Sequence, residues 1–133
     1  MKIHHIGYLV TDIEQACKDF EKLGYTPVTQ CILDVERKVY IIFLEPLQGG
    51  GWRIELIAPA ADCKLFSKRM LQMGSMPYHI CYECDDFKSD IETLQAGGFR
   101  LIREPQIAPA IDNRRVVFLY SEAIGQVELL ENI

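Results

Sequence analysis

The sequence predicts an α+β fold built from two tandem β-α-β-β-β modules, and three observations carry that reading. His5-Ile6-Gly7-Tyr8-Leu9-Val10-Thr11-Asp12-Ile13 recurs at an offset of 74 as His79-Ile80-Cys81-Tyr82-Glu83-Cys84-Asp85-Asp86-Phe87. Later segments recur at nearly the same distance: 41–44 matches 116–119 at offset 75, and 53–57 matches 126–130 at offset 73. The 133 residues are 49% hydrophobic and 25% charged. That composition is globular, and the length suffices to bury a core without disulfides or a structural metal.

Each copy opens with a strand rich in β-branched and aromatic residues, followed by an Asp or Thr suited to cap a helix. In the first copy Ile13, Ala16, Cys17, Phe20 and Leu23 fall at helical spacing, and Gly24 supplies a left-handed stop. In the second, Phe87, Ile91 and Leu94 repeat the spacing and Gly97-Gly98 ends it. Three strands are expected after each helix, at 26–33, 38–45 and 52–58, then at 100–104, 115–120 and 125–131. The chain therefore reads as one domain over 1–133. Its first module is 1–58, its linker 59–76 with a short helix at 63–73, and its second module 77–133.

Charge and cysteine usage narrow the function. With 14 basic and 19 acidic side chains the net charge is −5, the wrong sign for a partner of nucleic acid. Two histidines stand where a signal peptide needs an apolar core, and the longest aliphatic-aromatic run, 39–44, is far too short to span a bilayer. A cytoplasmic protein with no membrane partner is expected, and five cysteines, an odd number, suit reduced thiols there. Cys81 and Cys84 spell a C-x-x-C, but in a strand residues three apart point to opposite faces, so the two sulfurs are not expected to share a metal.

The repeat places chemistry at equivalent positions. His5 and His79, two of the three histidines, occupy the same point of the first strand in each copy. Glu55 and Glu128 occupy the same point of the last strand, each between apolar neighbours. An ionised carboxylate in such a strand is costly to bury without a positive partner. Two imidazoles and two carboxylates converging on one point would suit a divalent ion and leave room for water or substrate oxygens. Taken singly, a strand histidine also fits as a hydrogen-bonded core residue and an edge glutamate as a solvated one. Their coincidence with the repeat favours the metal site. His4, on the opposite strand face from His5, is left out of it.

These residues carry a resemblance. His-Ile-Gly and His-Ile-Cys opening the two modules, with Ile-Glu-Leu and Val-Glu-Leu on the closing strands, resemble the vicinal oxygen chelate superfamily, within it the glyoxalase I and methylmalonyl-CoA epimerase branch. The resemblance implies a curved sheet of eight strands closing a cup around a metal held by His5, Glu55, His79 and Glu128. It also implies a homodimer. Glyoxalase I enzymes of the nickel or cobalt type carry this His, Glu, His, Glu set, so nickel or cobalt is expected before zinc or manganese. Epimerases usually have Gln where Glu55 stands. Asp112-Asn113-Arg114 before an apolar strand is more similar to the epimerases, and Tyr40 is the best match to the place of their second catalytic glutamate. Asn113, Arg114 and Tyr40 are thus the candidates for substrate binding.

Both family reactions remove a proton from a carbon next to a carbonyl. A metal on the carbonyl oxygen stabilises the resulting enediolate, and by resemblance Glu128 is the base. The expected function is a glyoxalase I-like lyase acting on a thiol hemithioacetal. The alternative is methylmalonyl-CoA epimerase or a related acyl-CoA epimerase. A metal-free small-molecule binder of the antibiotic-sequestering kind is the further alternative.

Overall fold

The computed structural model describes residues 1–133. The elements are β1 (Lys2–Leu9), α1 (Ile13–Lys22), β2 (Tyr25–Pro27), β3 (Ile32–Asp34), β4 (Val39–Pro46), β5 (Arg53–Pro59), α2 (Lys68–Met73), β6 (Met76–Glu83), α3 (Phe87–Ala96), β7 (Arg100–Leu101), β8 (Gln106–Ala108), a 3-10 turn at Pro109–Ile111, β9 (Arg114–Ser121) and β10 (Gly125–Leu130). This is the mixed α+β architecture expected. The chain forms two compact units, Ile6–Tyr78 and Met1–His5 with His79–Ile133.

In the unit of residues 6–78 the strand order is β2-β4-β5-β1, with β3 also pairing β4. Asp12 caps α1 by accepting a hydrogen bond from the Gln15 amide, and Gly24, at φ +88, takes the chain out of the helix as expected. The apolar stripe of α1 covers one face of the sheet. Ile13, Ala16, Cys17 and Phe20 pack on the buried Val10, Leu44, Ile54, Leu56 and Ala58. Phe20 stands edge-on between Tyr8 and Tyr25, with centroids 5.3 and 5.6 Å away. Each fully buried leucine here contributes about 1.5–3 kcal/mol.

The other unit repeats the plan. Its order is β1-β6-β10-β9-β7, with β8 pairing β9. β6 and β10 run parallel, β9 and β10 antiparallel. Asp86 caps α3 through the Ser89 amide. Phe87, Ile91 and Leu94 pack on Cys84, Val117, Leu119, Val127 and Leu129.

The strand count departs from eight because the expected 26–33 strand divides in the first copy and the second copy adds β8, which lies beyond the expected 100–104 strand. In the first, Phe43 donates its amide to the Thr29 hydroxyl at 3.0 Å. A side chain replaces a strand carbonyl there, and the 26–33 stretch divides into β2 and β3. In the second, Pro105 has no amide hydrogen to donate, and the chain restarts pairing at Gln106. The linker helix is also shorter than expected. It begins only after Ser67, whose hydroxyl caps it by accepting from the Met70 amide.

Candidate metal centre

Three of the four expected ligands meet in the unit of residues 1–5 and 79–133. His5 arrives from β1, His79 from β6 and Glu128 from β10. The parallel register sets Glu128 beside Cys81, and His79, two residues earlier on β6, shares that face. His79 Nε2 lies 3.0 Å from Glu128 Oε2, His5 Nε2 lies 3.2 Å from the same oxygen, and the two nitrogens are 3.2 Å apart. All three residues are at most 4% exposed. Phe118, the register partner of Glu128 on β9, stands edge-on to the His79 ring at 5.2 Å and closes one side of the cluster.

This triangle fits a divalent ion. Metal–ligand bonds of about 2.1 Å set at right angles place neighbouring donors about 3.0 Å apart, and tetrahedral angles place them about 3.4 Å apart. The observed edges span the lower part of that interval. The donors are two imidazole nitrogens and one carboxylate oxygen, with no thiolate among them. Burial alone would push the Glu128 carboxyl up, but the His79 and His5 imidazoles outweigh it and hold the group well below the usual carboxylate range. Glu128 is therefore ionised at neutral pH.

Glu55 lies in the other unit, on β5. It is 4% exposed. Its register partner is Phe43, so it shares a sheet face with Phe43 and Ile41. Tyr40, out of phase by one residue, is on the opposite face of β4 and is 41% exposed. The structure therefore does not bring the Tyr40 phenol to the face that carries Glu55. On that face β4 offers Val39, Ile41 and Phe43, and then Glu45, which is ion-paired to Arg53 at 2.6 Å.

Asn113 and Arg114 stand at the entry to β9. Asn113 is exposed and takes a left-handed φ of 57°, a conformation asparagine tolerates. Lys38, at the equivalent place in the first copy, has the same φ. The Arg114 guanidinium is engaged by Glu83 Oε2 at 2.6 Å and by the Glu131 carbonyl. It holds Glu83 below its ordinary pKa. Cys81 and Cys84 point to opposite faces, one beside Glu128 and the other into the core under α3, where burial pushes the Cys84 thiol up to about 12. One residue was passed over. His4 Nδ1 is 2.9 Å from His5 Nδ1, and the only sequence signal for it was that the two histidines are adjacent.

The chain belongs to the Glyoxalase/Bleomycin resistance protein/Dioxygenase superfamily, whose sequence pattern matches residues 4–118. It is 25% identical over 129 residues to the mitochondrial methylmalonyl-CoA epimerase of Dictyostelium discoideum, covering 95% of this chain and 74% of that protein. Among solved structures it resembles methylmalonyl-CoA epimerase from Mycobacterium tuberculosis, with TM-score 0.83, 20% identity, and coverage of 99% of this chain and 88% of the other. It also resembles a hypothetical protein from Bacillus halodurans C-125, with TM-score 0.82, 26% identity, and coverage of 99% and 94%. A third likeness is Streptomyces coelicolor methylmalonyl-CoA epimerase in complex with 2-nitronate-propionyl-CoA, with TM-score 0.82, 20% identity, and coverage of 99% and 94%. These relatives fit the epimerase alternative better than the glyoxalase I-like lyase. No helix is long and apolar enough to cross a membrane.

Proposed function

We propose that this chain is an acyl-CoA epimerase-type enzyme that exchanges the proton on the carbon next to a thioester carbonyl at a divalent ion held by His5, Glu55, His79 and Glu128. The observation that carries it is the buried triangle of His5 Nε2, His79 Nε2 and Glu128 Oε2, with edges of 3.0 to 3.2 Å. Glu55 joins the set on its repeat-equivalent position and its burial between Ile54 and Leu56. The ion, nickel or cobalt before zinc or manganese by the resemblance to glyoxalase I, would supply an electrophile for the carbonyl oxygen. His5 and His79 orient the site. Glu128, ionised at neutral pH, is in the form that accepts a proton from carbon. Phe118 and the buried strand face exclude water from this step. A carboxylate on the inner stretch of β4 is not available as a second base, because Val39, Ile41 and Phe43 occupy those positions.

The test is incubation of the metal-loaded protein with methylmalonyl-CoA in deuterium oxide. Deuterium at the α-carbon, with interconversion of the two α-carbon epimers, is the expected result; no incorporation with any of the four metals overturns the proposal. Glu55, in place of the glutamine usual in epimerases, keeps the glyoxalase I-type lyase as a second reading. Thioester absorbance from methylglyoxal with glutathione would establish that reading instead.

A further inference from the structure

We infer that His4 is the positioning residue of the metal centre: it accepts the Nδ1 proton of His5 and so fixes the tautomer in which His5 presents a bare Nε2 to an ion. This deepens the proposed function and rests on its metal site. The two rings meet Nδ1 to Nδ1 at 2.9 Å, nearly perpendicular, with centroids 5.2 Å apart. His5 is fully buried and uses its other nitrogen, Nε2, toward Glu128 and His79.

Proton placement follows from this geometry. A neutral imidazole has one N–H and one lone pair, and a nitrogen that coordinates a cation uses its lone pair. His5 must then carry its proton on Nδ1, which faces only a useful partner if that partner accepts. His4 Nδ1 is that acceptor, so His4 holds its own proton on Nε2. Without the contact His5 would be free to place its proton on Nε2, donate it to Glu128, and block coordination until the tautomer changed. Metal-bound histidines are ordinarily oriented by a carboxylate or carbonyl in this way. Here a second imidazole takes the place. Cys81 Sγ lies within 4.8 Å of donor atoms of both rings, which makes an ion held by His4, His5 and Cys81 the competing use of the same groups.

The test compares His4→Phe, which keeps a ring and removes the acceptor, with His4→Asn, which returns an acceptor near the Nδ1 position. Cobalt affinity is measured by titration of the visible d–d bands. The expected result is about 10–100-fold weaker binding in His4→Phe and recovery of most of it in His4→Asn. Equal affinity in His4→Phe and the unsubstituted protein overturns the inference, as does equal loss in both variants. A variant-independent measurement is nitrogen NMR of the unsubstituted cadmium- or zinc-loaded protein. A protonated His5 Nδ1 with coupling across the hydrogen bond to His4 Nδ1 supports the assignment, and an unprotonated one overturns it. A second cobalt equivalent with a thiolate charge-transfer band would also overturn it, since His4 would then be a ligand. Failure of the unsubstituted protein to bind any metal falls on the proposed function instead.

Discussion

Divalent metal binding should raise the thermal stability of this chain by an amount set by its length and its three convergent donors, and Glu128→Gln should remove most of that gain. For 133 residues the unfolding entropy is about 0.28 kcal/mol/K, so about 1 kcal/mol moves Tm by roughly 3.5 °C. An ion at a hundred times its Kd stabilises the folded state by about 2.7 kcal/mol, which corresponds to roughly 10 °C. Glu128 Oε2 is the vertex shared by the 3.0 and 3.2 Å contacts to His79 and His5. Replacing its carboxylate by a neutral amide keeps the shape and removes the charge that opposes the cation's. A loss of affinity of about 100-fold leaves, at the same metal concentration, about 0.4 kcal/mol and a shift under about 2 °C. Calorimetry of both proteins with nickel, cobalt, manganese and zinc, each against chelator, measures the difference. An unmoved Tm in the unsubstituted protein with all four ions, or an equal shift in Glu128→Gln, would refute the assignment of the triangle as a metal centre.

Two other predictions concern groups around the centre. Arg114→Met should lower stability by about 1–2 kcal/mol at pH 7, discounted for the partial exposure of Glu83. Arg114 lowers the Glu83 pKa, so the Glu83 contribution is complete above the unfolded value of about 4.3 and is lost as pH falls through the lower folded value. Urea midpoints of the two proteins should therefore draw together as pH falls below the unfolded value, and a constant gap would count against the ion pair. Among the five cysteines Cys31 alone is exposed, whereas Cys81 and Cys84 are buried and the Cys84 thiol is pushed up to about 12. A disulfide reagent at pH 8 should label Cys31 first and reach Cys84 only on unfolding. Persistence of the fast phase in Cys31→Ser would show this accounting to be wrong.

The repeat was legible because duplication preserves residue types as well as spacing. His5 and His79, Glu55 and Glu128, and the two Asp-capped helices all stand at matching positions. Strand alternation also settled the C-x-x-C, whose sulfurs do lie on opposite faces. Other features depend on partners the sequence does not name. The break at Thr29 needs the Phe43 amide from a distant strand. The face of Tyr40 relative to Glu55 follows only from the β4–β5 register, since a shift of one residue would have reversed it. Arg114, an open anion-binding group when read alone, is engaged by Glu83 and the C-terminal backbone.

By itself the sequence determined the duplicated α+β plan and the kinds of donor at its equivalent positions, because hydrophobic period, caps and repeat spacing are local properties of the chain. Only the tertiary structure decided which donors come within 3.2 Å of one another and that His4 reaches His5 Nδ1. The physical reason is that hydrogen bonds and ligand contacts are set within a few tenths of an ångström by strand register and ring orientation. Those depend on residues far apart in the chain.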